Sequence, residues 1–168
     1  MQLRELGNQP PQPQRGCVTR NGASVYLHLI FSTKGRYPFL RNADLRAEMH
    51  AYLGGVSKKL DCPPLIVGGV ADHIHLLARL GRTIAQADWV KELKRVSSLW
   101  IKERDVTLHD FSWQSGYGVF SVSASQLDAV RDYIATQEQH HQKQIFQDEF
   151  RAFFRRSDLE WDEQYVWE

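Results

Sequence analysis

Cysteine is scarce in this chain, and long apolar runs are missing. The two cysteines, Cys17 and Cys62, lack CxxC spacing, and Cys17 lies in a stretch without apolar periodicity, so neither a disulfide framework nor a zinc ribbon is indicated. The longest clearly apolar stretches, such as Leu65 to Ala71, are far too short to cross a bilayer, and the first residues lack the basic start and apolar run of a signal peptide. No membrane association is expected, and a cytoplasmic location is the simplest reading. No HExxH helix and no internal repeat of motif length is found. Charge of one sign is also lacking overall: the net charge of +1 argues against a generally basic nucleic-acid binder. Its distribution is uneven, however. Residues 1–112 carry 16 Lys+Arg against 10 Asp+Glu, whereas residues 113–168 carry 5 against 10. The basic share of the first two thirds can supply a local phosphate-attracting face, although many structural proteins show as much.

What is present is an ordinary globular composition, 42% hydrophobic and 24% charged over 168 residues, which suits one domain with a real core. Residues 1–22, with Pro10, Pro11 and Pro13 among Gln, Arg and Gly, read as a flexible N-terminal extension, and residues 23–168 as the folded domain. From Val25 to Ser32 the chain alternates with period two and predicts a strand whose faces differ in polarity. Leu45, Met49, Tyr52, Leu53 and Val56 predict a helix over Ala43 to Lys59, with Asn42 as its N-cap. Leu65 to Val70 and His73 to Leu80 read as a hairpin turning at Ala71-Asp72. Thr83 and Gln86 form a capping-box pattern before a second helical stripe running to about Lys102. Gly118 to Val122 is a short strand, and Ser123 or Ser125 can cap a third helix through Val130, Tyr133, Ile134 and Gln137. A further amphipathic piece covers Phe146 to Phe154. The order β-α-β-β-α-β predicts an α+β fold: a ferredoxin-like split βαβ antiparallel sheet with an added C-terminal helix carrying the tyrosine.

The sharpest chemical feature is Asp72-His73-Ile74-His75, in which two histidines two apart on a strand project from one face while Ile74, Leu76 and Ala78 face the core. Paired imidazoles at this spacing can bind one divalent metal, yet an HxH alone is a weak motif, because two strand histidines need not be ligands. No third histidine is near in sequence. Gln137 is the candidate third ligand, since it follows Tyr133 by four residues and both can point to one side of a helix. Two imidazoles and an amide oxygen leave open positions for a phosphate and favour Mg²⁺ or Mn²⁺ over a closed structural zinc site. Tyr133 in isolation reads first as a core tyrosine. On the second helix Lys91, Lys94, Arg95, Ser98 and Lys102 form a stripe that suits phosphate contact or a solvated face, and Lys34 and Arg36 carry the same two readings.

Taken together, His73-Ile74-His75, the Tyr133 and Gln137 pair, the approach Trp113 to Ser123, the first strand Tyr26 to Ser32 with its basic turn Thr33 to Arg36, and the closing Tyr165-Val166-Trp167 resemble the HUH-type single-tyrosine transposases of bacterial insertion sequences. The resemblance covers about residues 24–168. It implies a metal-dependent DNA-strand transferase in which Tyr133 is the nucleophile, His73, His75 and Gln137 hold Mg²⁺ or Mn²⁺, and Lys34, Arg36, Lys91, Lys94 and Arg95 contact DNA. It further implies single-stranded DNA with hairpins as substrate, a 5′-phosphotyrosine intermediate, and a homodimer with shared active sites. Two other readings are a nicking protein like the REP-associated tyrosine transposases and a noncatalytic DNA-binding derivative. A small metal hydrolase is a third, for which the chain lacks an evident general-base motif. His28 in the first strand either lies beside the histidine pair, if the first and third strands are neighbours, or is a satisfied sheet histidine.

Overall fold

The computed structural model describes residues 22–137 together with Arg151. The segments expected from the sequence at residues 1–21, at Phe146 to Phe154 and at the closing Tyr165-Val166-Trp167 lie outside the described residues.

Strand β1 (Tyr26–Ser32), helix α1 (Ala43–Lys59), β2 (Pro64–Gly69), β3 (His73–Arg79), α2 (Gln86–Arg104), β4 (Gly118–Val122) and α3 (Leu127–Ala135) follow in that order. The strands form one antiparallel sheet in the order β2-β3-β1-β4. This is the expected split βαβ arrangement, in which each half's parallel strand pair is separated by a strand of the other half.

Period-two alternation divides the sheet into two working faces. Leu27, Leu29 and Phe31 of β1 and Ile74, Leu76 and Ala78 of β3 form a core with Met49 and Leu53 of α1 and Trp89, Val90, Leu93 and Ile101 of α2. Each of the two tryptophans buried among the described residues finds a partner for its indole N–H: Trp89 Nε1 donates to Ser57 Oγ at 3.1 Å and Trp113 Nε1 to Ser97 Oγ at 2.8 Å. These serines are why polar residues persist on the buried stripes of α1 and α2, since a buried indole N–H without an acceptor costs ~1–3 kcal/mol. The opposite face carries His28, Ile30 and Ser32 of β1 and His73, His75 and Leu77 of β3, all buried. Helix α3 lies over the β2 and β3 side of that face.

Helix starts differ from the sequence expectation in two places. Asn42 caps α1 as expected, its Oδ1 accepting from Leu45 N–H at 3.0 Å. At α2 the Thr83 and Gln86 capping box does not form: the helix starts at Gln86, its N-cap is Ala85 in an extended conformation, and no side chain caps it. The physical reason is Ile84, which packs against the core and keeps the chain extended through Ala85. At α3 a 3-10 turn, Ala124–Gln126, intervenes, and the Ser123 and Ser125 hydroxyls pair with each other at 3.0 Å instead of capping. Helix α3 also stops at Ala135, with Thr136 outside helical geometry, so Gln137, itself helical, lies beyond a one-residue break.

Gly68 explains how closely α3 seats. It stands opposite His75 across the β2 and β3 pairing, and a Cβ there would lie 2.7 Å from Ile134 Cγ2 and 2.9 Å from the Ile134 carbonyl oxygen. Because one obstacle is backbone, α3 itself would have to move. Gly68→Ala is therefore expected to lower stability by ~1–3 kcal/mol in urea unfolding. Gly55→Ala, at an exposed position of α1 with nothing within 4 Å of the added carbon, is expected to raise it by ~0.5–1 kcal/mol. An unchanged midpoint for Gly68→Ala would mean that α3 is not seated on β2 through this glycine.

Candidate active site

Strand register brings the site together. β1 pairs with β3 so that Ile30 opposes His75, Ser32 opposes His73 and His28 opposes Leu77, which makes His28 a diagonal neighbour of His75 on one face. The imidazoles meet: His28 Nε2 lies 3.0 Å from His75 Nδ1, with the rings stacked at 5.2 Å between centroids. Of the two sequence readings of His28, the structure selects the one beside the histidine pair. His73 and His75 stand edge to face at 5.0 Å.

Behind His73 lies a second support that sequence reasoning missed by reading Asp72 as a turn residue. His73 Nδ1 is 2.8 Å from Asp72 Oδ1, and Asp72 Oδ2 accepts from Arg36 Nη2 at 2.8 Å and Nε at 3.2 Å. Burial alone would raise the Asp72 carboxyl, but the hydrogen bond from His73 and the charges of His73 and Arg36 outweigh it and hold the group down at about 2. Arg36 occupies this position with φ of 55°, a left-handed conformation costly for a residue with a Cβ, and the ion pair to a partly buried carboxylate offsets that cost. The signal available in the sequence was an acidic residue immediately before an HxH, the arrangement that fixes ring orientation in metal sites.

From the other side, α3 delivers Tyr133. Its ring stands edge-on to His75 at 5.6 Å and to His28 at 6.2 Å between centroids, and its hydroxyl is buried. Gln137 is 1% exposed, its Nε2 lies 3.5 Å from the Tyr133 carbonyl, and its Oε1 is buried with no hydrogen-bond partner among the described residues. Gln137 also borders a cavity of about 220 Å³ with His50, Gly68, Gly69 and Ile134.

The donor set fits a divalent cation. With both Nδ1 atoms engaged by outer partners, His73 and His75 would coordinate through Nε2, and the Gln137 oxygen supplies a hard donor. Among the described residues no group of three or more His, Cys, Asp or Glu could hold a metal, and in the set expected from the sequence the amide of Gln137 would be the third protein ligand.

The expected DNA contacts scatter. Lys34 and Lys91 are exposed. Arg36 serves Asp72, as above. Lys94 points inward: its ammonium donates to the carbonyls of Gln114, Ser115 and Gly116 at 2.8, 3.1 and 2.8 Å, which commits all three N–H groups. Burial draws its pKa down to about 8. Arg95 is exposed and pairs with Glu92 at 2.7 Å. Because α2 packs on the core face, Lys91 and Arg95 lie on the layer opposite the histidines.

The family pattern described as "Transposase IS200 like" matches residues 22–137. The chain belongs to that family. DNA-strand transfer is the activity of such transposases, and the histidines and tyrosine fall within the matched span. Among solved structures, a candidate transposase from Deinococcus radiodurans R1 is similar at 22% identity, with a TM-score of 0.58 over 76% of this chain and 98% of that one. A REP-associated tyrosine transposase bound to a REP hairpin is similar at 13% identity, with a TM-score of 0.54 over 76% of this chain and 74% of that one. Both likenesses establish the fold. No curated protein matches the chain. No helix among the described residues is long and apolar enough to cross a membrane.

One consequence is measurable without DNA. Burial pushes the His28 imidazole from 6.5 down to about 4. Between those values the unfolded chain binds a proton that the folded chain refuses, so the stabilisation is fully present above 6.5 and is lost as pH falls toward 4. The loss is on the order of 3 kcal/mol. Urea unfolding of the metal-free protein from neutral pH downward should show this decline, and His28→Gln should flatten it. Equal slopes in the two proteins would assign the decline to another group.

Proposed function

We propose that this transposase cleaves and rejoins single-stranded DNA at the hairpin-bearing ends of an insertion sequence through a 5′-phosphotyrosine formed on Tyr133. The observation that carries the reading is the approach of Tyr133, its hydroxyl buried, to His75 of the HxH pair on one face of the sheet. In the reaction, Tyr133 Oη forms a bond to the 5′ phosphorus while the bond to the 3′ oxygen breaks. The phenol gives up its proton and the departing oxygen gains one. Attack by another 3′ hydroxyl reverses these changes and regenerates Tyr133, so bond energy is conserved and no nucleotide cofactor is required.

His73, His75 and Gln137 would hold Mg²⁺ or Mn²⁺. Bound there, a divalent cation would supply charge neutralisation at the scissile phosphate. The chain's own part is placement. β3 sets the histidines, α3 sets Tyr133, and Asp72 keeps the His73 ring from rotating. Free tyrosine titrates near 10, so burial against two imidazoles makes placement more important than a standing phenolate. The similar fold that binds a REP hairpin supports a hairpin ligand. Lys34, Lys91 and Arg95 then serve flanking or stem phosphates, since Lys91 and Arg95 are on the opposite layer from the scissile position.

The family resemblance implies a homodimer with shared sites. Within the described residues, Tyr133 already stands against His75 of its own chain, which supports a site completed in one chain.

Tyr133→Phe is expected to fold and bind hairpin DNA while forming no SDS-resistant adduct with labelled DNA and Mg²⁺. Undiminished adduct would remove Tyr133 from the reaction, and an adduct-free wild type that binds hairpins would favour the noncatalytic reading. His75→Ala, or EDTA treatment, is expected to lower cleavage by ~100-fold or more with hairpin binding little changed. Cleavage that survives exhaustive chelation would contradict the metal role.

A complementation experiment separates the two site architectures. Tyr133→Phe and His75→Ala chains are coexpressed with different affinity tags and purified through both. A site completed in one chain predicts no adduct, because every site lacks one group. Recovery of adduct would establish that α3 exchanges between subunits.

A further inference from the structure

A histidine that holds a metal through Nε2 must carry its proton on Nδ1, because a neutral imidazole has one N–H and one lone pair. For His73 the requirement is met by Asp72, whose carboxylate can only accept. For His75 the atom facing Nδ1 is His28 Nε2 at 3.0 Å, between two side chains that are each 1% exposed. One hydrogen is shared by these nitrogens. If it belongs to His75, then His28 accepts, and His75 presents a lone pair at Nε2. If it belongs to His28, then His75 carries its proton on Nε2 and cannot coordinate there.

We infer that His28 is a positioning residue for His75: its Nε2 accepts from His75 Nδ1–H and holds the metal-facing nitrogen of His75 deprotonated and correctly aimed. The inference rests on the reading of His73, His75 and Gln137 as the metal-holding set. It adds a function for a first-strand residue that touches neither phosphate nor metal. Three observations bear on it. The register makes the two histidines diagonal neighbours, so their separation is fixed by backbone pairing and not by flexible side chains. The stacked rings, 28° apart between planes, restrain both torsions. The arrangement also repeats the logic of Asp72 and His73 with a neutral acceptor, which avoids placing a second carboxylate in a buried site.

The test separates tautomer from metal binding. Long-range ¹H–¹⁵N correlation spectra of the metal-free protein report which nitrogen of His75 is protonated, with His75→Ala providing the assignment. Wild type should show the Nδ1–H tautomer. His28→Leu, which removes the acceptor, should shift His75 toward Nε2–H and weaken Mn²⁺ binding, read by electron paramagnetic resonance of the free ion, by ~10–100-fold. His28→Gln places an amide oxygen near the lost Nε2 and should restore both the tautomer and most of the affinity. If His28→Leu does not fold, His28→Asn, whose amide stops short of that position, makes the same comparison.

A wild-type His75 protonated at Nε2, or a tautomer unchanged in the acceptor-free variant, overturns the inference. Failure of His28→Gln to restore the tautomer, where the acceptor-free variant has lost it, overturns it also. If wild type shows the Nδ1–H tautomer and its loss in the acceptor-free variant but binds no Mn²⁺, the metal reading fails while the hold of His28 on His75 stands.

Discussion

The β1 and β3 pairing is the constraint on which the rest of the site depends. Side chains alternate across a strand, so a slip of one residue would send His73 and His75 into the core and turn Ile74 and Leu76 toward α3. The slip is opposed on both faces at once. On one, Leu29, Phe31, Ile74 and Leu76 are fully or almost fully buried against α1 and α2. On the other, His28 and His75 meet through ring nitrogens at 3.0 Å, which only this register permits. Core burial therefore specifies the position of the catalytic candidates more strongly than their own contacts do, at roughly 1.5–3 kcal/mol for each large buried side chain.

Much of the scaffold could be read from the sequence because its elements obey local rules. β1, α1, β3 and β4 follow from periodicity, and Asn42 announces the start of α1 with the hydrogen bond that a cap requires. Failures occur where tertiary packing overrides a local signal. Thr83 has the chemistry of a cap, but Ile84 is drawn onto the core and the helix begins at Gln86. Gln137 was expected on the same unbroken helical row as Tyr133, yet α3 ends at Ala135 and Gln137 is helical again only after a break at Thr136. The histidine pair and the tyrosine were visible as residue types. The role of His28 was not assignable, because its partner lies 47 residues away, and the Arg36 pairing that compensates Asp72 spans 36 residues, separations that no local pattern records.

Basic residues illustrate the same limit. A helical stripe predicts which side chains lie on one side of α2, but not how far the neighbouring loop approaches. Lys94 lies at that boundary, and the Gln114 to Gly116 carbonyls take its ammonium. Three charge-assisted hydrogen bonds there secure the segment leading into β4, the sheet edge beyond β1. Arg36 likewise secures the turn after β1 through Asp72. Both residues look in sequence like phosphate contacts, and both stabilise the segments from which the site is built.

That allocation of charge bears on the chemistry. In the proposed site the groups assigned to the reacting position are two imidazoles, an amide and a phenol, while burial keeps His28 neutral and Asp72 is compensated by Arg36. A phosphodiester brings negative charge that increases around phosphorus during in-line attack, and none of these side chains carries a permanent positive charge to oppose it. Placing a permanent cation among the histidines would compete with metal binding and depress their ability to act as ligands. Leaving that position neutral, with Arg36 and Lys94 committed elsewhere, suits a site whose positive charge arrives with a divalent ion at the phosphate. Exposed cations such as Lys91 and Arg95 can then attract DNA from the other layer over distances comparable with the Debye length, without perturbing the ligands.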